Sequence, residues 1–231
     1  MEEQRQYNLF ERLVGSPWFW LTWVIVIGAM PIIRAVRADQ PQPLPVLKQL
    51  PDFEFQDQYG EAFGSDSLRG KVWVANFIFT RCTTSCPVFT REMGEVQHRT
   101  KQLADAIHLV SFTVDPTYDT PEVLLAYAQS HRVSPRMWSF LTGDLDQIRA
   151  TVVDGFDSAM GDGDGATGDH SSLFHGSHFV LVDSEGRIRG YYLSGEEEIL
   201  DQMMGDINVL INVPGVGELP ENYTRMDPQS R

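Results

Sequence analysis

Cysteine is nearly absent: the chain of 231 residues holds only Cys82 and Cys86, with three residues between them. That excludes a disulfide framework, which closes long loops with several pairs, and points instead to metal binding or thiol redox chemistry. Cations are scarce too, 18 Lys and Arg against 32 Asp and Glu, for a formal net charge of −14. A nucleic-acid partner is thereby excluded, because contacting phosphates takes clustered Lys and Arg. The acidity reads as a solvated surface. No repeat of the solenoid type is present. The length suits one or two domains at roughly 100 to 200 residues each.

One long stretch lacks charge. Pro17 to Ile33, PWFWLTWVIVIGAMPII, would run about 25 Å as a helix, and Leu13, Val14, Ala35 and Val36 extend its apolar character. Trp18, Trp20 and Trp23 suit a membrane interface. The expectation is one transmembrane anchor. A cleaved secretory signal, with Val36 and Ala38 as the small residues before the cut, is the competing reading. Either way the domain is exported. Arg5 and Arg12 on one side balance Arg34 and Arg37 on the other, so charge does not set the orientation.

The order of segments then suggests an α/β fold. Residues 1–37 form the tail and anchor, and residues 38–51, with Pro41, Pro43, Pro45 and Pro51, read as an extended stalk. Residues 52–212 form the folded domain, and residues 213–231 a polar tail. Within the domain, Phe53 and Phe55 open a short strand, and Lys71 to Phe79 is a strand apolar enough to be buried on both faces. Pro87 opens an amphipathic helix to about Ala106. Strand His108 to Val114, helix Glu122 to Arg132, strand Met137 to Leu141 and helix Leu145 to Val153 follow. Such alternation implies a parallel or mixed central sheet with helices on its faces. Gly155 to Ser172, rich in Gly and Asp, reads as a mobile loop. It lacks the ligand order and closing Glu of a calcium loop. Ser177 to Val182 and Arg187 to Tyr192 flank a turn at Asp183 to Gly186, a hairpin signature, before a last helix from Glu196 to Ile211.

The chemistry concentrates at Cys82 and Cys86, between a buried strand and a helix. Ligands of open α/β sheets gather at the carboxyl ends of strands, and a helix N-terminus stabilises a thiolate; Arg81 should add to that effect. Thr83, Thr84 and Ser85 make the loop too polar for a core. Thiolates favour copper(I) and zinc, and imidazole suits copper in either oxidation state. A structural zinc site usually takes four protein ligands in paired motifs, which two cysteines do not supply. His170, His175 and His178 are equal candidates for a third ligand on the residues alone. His98, His108 and His131 read as surface or hydrogen-bonded residues. Asp115, Asp119 and Pro121 read as a turn whose side chains cap it and the following helix.

Three separated motifs then carry a resemblance. VWVANFIFTRCTTSCPVFTREM at 72–93, SFTVDPTYDTP at 111–121 and HGSHFVLVDSEGRIRGYY at 175–192 are together similar to the Sco/SenC family of copper metallochaperones. The resemblance covers roughly residues 52–212 and implies a thioredoxin-like domain. It implies copper held by Cys82, Cys86 and one histidine, eleven residues before the hairpin glycine; counting back from Gly186 gives His175. The implied role is assembly of the dicopper centre of cytochrome c oxidase. The partners would be the copper-bearing oxidase subunit and a periplasmic copper donor. The chain would sit in the inner membrane by a single pass, with its domain on the periplasmic or outer side. Cys82 and Cys86 would also form a redox disulfide. The alternative is a thiol–disulfide oxidoreductase acting on the cysteines of that centre, although its usual motif is Cys-x-x-Cys. A peroxidase reading from Thr83 and Cys86 lacks the expected proline, where Phe79 stands.

Overall fold

The computed structural model describes residues 16–38, 44–82, 86–158, 160 and 178–212. It divides into two units, residues 1–42 and residues 43–231. In the first, helix α1 covers Pro17–Ala38, where the anchor is expected. Trp18, Trp20, Trp23, Val24, Ile25 and Ile27 are all exposed on it. Among the described residues, however, no helix is long and apolar enough to cross a membrane. The helix by itself therefore does not establish a span.

The second unit is built on a six-stranded sheet of order β1-β8-β7-β4-β5-β6. Its strands are β1 (Lys48–Gln49), β4 (Val72–Ile78), β5 (Ile107–Thr113), β6 (Trp138–Leu141), β7 (His178–Val182) and β8 (Arg187–Leu193). A separate hairpin pairs β2 (Glu54–Gln56) with β3 (Ala62–Gly64), and the one-turn helix α2 (Ser65–Leu68) follows it. β4, β5 and β6 run parallel, whereas β7 is antiparallel to both β4 and β8, so the sheet is mixed. Helices α3 (Cys86–Thr100) and α4 (Pro121–Ser130) make the crossovers between the parallel strands. Helix α5 (Leu145–Arg149) follows β6, and helix α6 (Glu197–Asn212) closes the domain.

Every residue of β4 is buried, the outcome expected of a near-continuous apolar strand inside a sheet, and so is every residue of β5, its polar His108, Ser111 and Thr113 included. On one face Phe112 lies against Phe53 and Phe156, each with centroids 5.3 Å away, and Phe77 meets Phe156 at 5.2 Å. On the other, Phe140 of β6 meets Tyr127 of α4 at 5.9 Å.

Three features depart from the sequence expectation. The segment read as a stalk enters the sheet: Lys48 and Gln49 pair with Ile188 and Arg187. It is held because buried Arg189 donates from Nε to the Pro45 carbonyl at 3.0 Å and from Nη2 to the Leu44 carbonyl, while its Nη1 pairs with Asp183 at 2.7 Å. Helix α5 also widens into a π turn over Ala150–Gly155, with the Phe156 amide reaching back five residues to the Thr151 carbonyl. The loop read over Gly155 to Ser172 also starts later than expected, because Gly155 ends the π turn and Phe156 and Ser158 are buried, Phe156 against Phe77 and Phe112; residues 161–172 of that loop and the tail at 213–231 lie outside the described residues.

Candidate metal centre

β4 delivers the chain to the carboxyl edge of the sheet, and a tight turn takes over at once. The Cys82 amide donates to the Phe79 carbonyl at 3.1 Å, which puts Thr80 and Arg81 at the turn's centre and Cys82 at its end. Cys86 is the first residue of α3, and Pro87 follows where a helix needs no amide donor. The Cys86 amide donates to Cys82 Sγ at 3.3 Å, so the helix start points one of its unsatisfied N–H groups at the other cysteine's sulfur. Cys82 is half-buried, and Cys86 is only 2% exposed.

Burial changes the expectation for Cys86. Desolvation pushes its thiol up to about 12, against the hydrogen bond from the Phe79 backbone, and the adjacent Cys82 adds to the rise. The lowering expected from the helix N-terminus is outweighed, because burial disfavours the charged form more than one helix end favours it. Arg81 is likewise committed elsewhere. Its Nη2 pairs with Asp115 at 2.5 Å, and its guanidinium lies 4.3 Å from the centre of the Tyr118 ring.

The carboxylates between β5 and α4 turn toward the cysteine loop. Asp115 does cap its own turn, accepting from Thr117 Oγ1 at 3.1 Å, but the helix cap belongs to Thr120, whose side chain accepts from the Val123 amide. Asp119, fully buried, accepts from the Thr80 amide at 3.1 Å, from Thr113 Oγ1 at 2.5 Å and from the Thr80 hydroxyl. Burial raises its carboxyl above the ordinary value while these donors draw it back. Sequence reasoning missed this contact, since 39 residues separate Thr80 from Asp119 and no local pattern joins them. It also missed Thr90, one helical turn after Cys86, whose hydroxyl bonds the Tyr127 hydroxyl at 2.7 Å.

His178 is packed and bonded: Nε2 meets Ser158 Oγ at 3.0 Å, and burial holds its pKa below the ordinary value. His108 is buried against Ser139, His131 bonds the Tyr127 carbonyl, and His98 is exposed. His170 and His175 lie outside the described residues, as do Thr83, Thr84 and Ser85. Among the described residues no group of three or more His, Cys, Asp and Glu could hold a metal ion. Of the three residues expected to hold a metal, the described set therefore contains the two sulfurs alone, brought together at the start of α3.

Comparison with known proteins identifies the fold. A family model described as SCO1/SenC matches residues 43–212. The SCO1 protein homolog of Bacillus subtilis (strain 168) is 32% identical over 164 residues, which covers 71% of this chain and 83% of the relative. The solved structure of BsSco, described as a member of the Sco family of cytochrome c oxidase assembly proteins with a disulfide switch, is 31% identical. It superposes with a TM-score of 0.65 over 74% of this chain and 99% of that one. Bradyrhizobium japonicum ScoI, solved with copper bound, is 26% identical with a TM-score of 0.60, over 71% and 99% of the two chains. With its mixed sheet, thioredoxin-like crossovers and paired cysteines at the carboxyl edge, the chain belongs to the SCO1/SenC family.

Proposed function

We propose that this protein is a membrane-attached copper chaperone that carries copper on Cys82, Cys86 and His175 and passes it to the copper-bearing subunit of cytochrome c oxidase. The observation that carries the reading is the placement of the two sulfurs at one helix start, with the Cys86 amide 3.3 Å from Cys82 Sγ. Two thiolates and one imidazole form a soft, three-ligand set suited to copper(I), and the low coordination number leaves the ion exchangeable. Copper is cargo here: it displaces the thiol protons on arrival and leaves by exchange onto the partner's ligands. The copper-bound relative from Bradyrhizobium japonicum supports the choice of metal. In this reading α1 is a single-pass inner-membrane anchor, the domain faces the periplasm or cell exterior, and a periplasmic donor loads it.

Thiol–disulfide reduction of the oxidase cysteines is the second reading. The same sulfur placement and the disulfide switch of BsSco favour it. In that chemistry Cys82 and Cys86 give up two electrons and two protons and end as a disulfide. His175 separates the two. A reductase has no use for it, whereas copper held by two thiolates gains a third ligand. In cells lacking the protein, His175→Ala should fail to restore cytochrome oxidase activity, and added copper should recover part of it. Full restoration by His175→Ala would transfer the function to the reductase reading.

A further inference from the structure

Both central residues of the turn that presents Cys82 are gripped by carboxylates from one distant loop. Arg81 pairs with Asp115, an ordinary cation–anion match. Thr80 is gripped differently, through both its amide and its hydroxyl, by Asp119, which also takes the Thr113 hydroxyl. Asp119 is 0% exposed, and among the described residues no ion pair of its own balances it. A fully buried carboxylate hydrogen-bonded only by neutral donors, with the Arg81 cation paired to Asp115 and acting on it only at a distance, is costly to keep. A neutral hydrogen-bonding residue at α4's entrance would be cheaper, and Thr120 already caps that helix.

We infer that Asp119 is a positioning residue for Cys82: by fixing Thr80 it fixes the turn, and through the turn the distance between the two sulfurs. The inference rests on the proposed role of the cysteine pair. Its chain of contacts is continuous. Asp119 holds Thr80; Thr80 is the second residue of the turn closed by the Cys82 amide on Phe79; and Cys82 Sγ receives the Cys86 amide. Holding two groups at a set separation raises their effective concentration, both for bridging to each other and for closing on one ion.

The test uses the full chain without copper, equilibrated with glutathione. One glutathione disulfide takes two electrons from the Cys82–Cys86 dithiol, giving the protein disulfide and two glutathione thiols with the protons balanced. Thr80→Val keeps the amide bond to Asp119 and removes the hydroxyl; Thr80→Ser restores it; Asp119→Asn replaces one accepting oxygen by a donor and so loses part of the grip on the Thr80 amide and the two hydroxyls. For Thr80→Val and Asp119→Asn the oxidation constant should fall about tenfold, about 30 mV for a two-electron couple. Thr80→Ser should stay within about twofold of wild type, and copper(I) affinity against a competing chelator should fall about 10- to 100-fold in the first two variants alone. Unfolding midpoints are recorded alongside. A Thr80→Val protein with a lowered midpoint but an oxidation constant within about twofold of wild type would make Asp119 merely structural. If the thiol equilibrium shifts as expected while wild type takes up no copper, the positioning role stands and the copper reading falls.

Discussion

His108 is 6% exposed, with Nε2 bonded to Ser139 Oγ at 3.0 Å, its ring stacked on Phe63, and Nδ1 buried without a partner among the described residues. Burial, helped by the charge of Lys71, pushes its pKa down to about 4, so the folded state holds a neutral ring where the unfolded chain titrates near 6.5. The sign follows from proton counts. Between pH 6.5 and 4 the unfolded chain binds more protons, so stability is intact above the unfolded value and is lost as pH falls through this window. The loss amounts to about 3 kcal/mol at most. The unfolding midpoint should therefore drop on acidification, and His108→Gln should flatten that drop; equal slopes for the two proteins would exclude His108 as the cause. A hydrogen-bonded role for His108 is readable from its place at a strand start. Its burial is not, because that depends on Phe63 arriving from the β2–β3 hairpin.

At the level of elements, long apolar runs were the readable ones. Lys71 to Phe79 and His108 to Val114 correspond to β4 and β5 within a residue at each end; β4 leaves a nearly continuous hydrophobic trace, whereas β5 carries the buried polar residues His108, Ser111 and Thr113. β1 left none: Lys48 and Gln49 are too short and too polar to show alternation, and their pairing depends on β8 and on Arg189 far along the chain. The cysteine turn was legible as a position, since strand, thiols and Pro87 are contiguous. Its carboxylate grip was not, because the partners are 34 and 39 positions apart in the chain. Helix α1 was legible as a helix, but its balanced arginines leave orientation to experiment. A reporter fused after Arg231 should be active only outside the cytoplasm if α1 anchors an exported domain. Activity of a cytoplasm-only reporter there would contradict both the topology and the oxidase partner.

For the whole molecule, the acidic surface and the buried sheet work separately. A net charge of −14 disfavours phosphate polymers, while the sheet and its aromatic core form a platform that holds Cys82 and Cys86 at its carboxyl edge. Cys86 is buried at that edge. Desolvation pushes that thiol up to about 12, so burial opposes formation of its thiolate. The most direct measurement is copper bound per purified full chain after loading with copper(I) and removal of excess. The expected result is about one copper per chain for wild type, little for Cys82→Ser or Cys86→Ser, and weakened retention for His175→Ala. Copper retained in full by either cysteine variant, or a greater loss from His170→Ala or His178→Ala than from His175→Ala, would contradict the site.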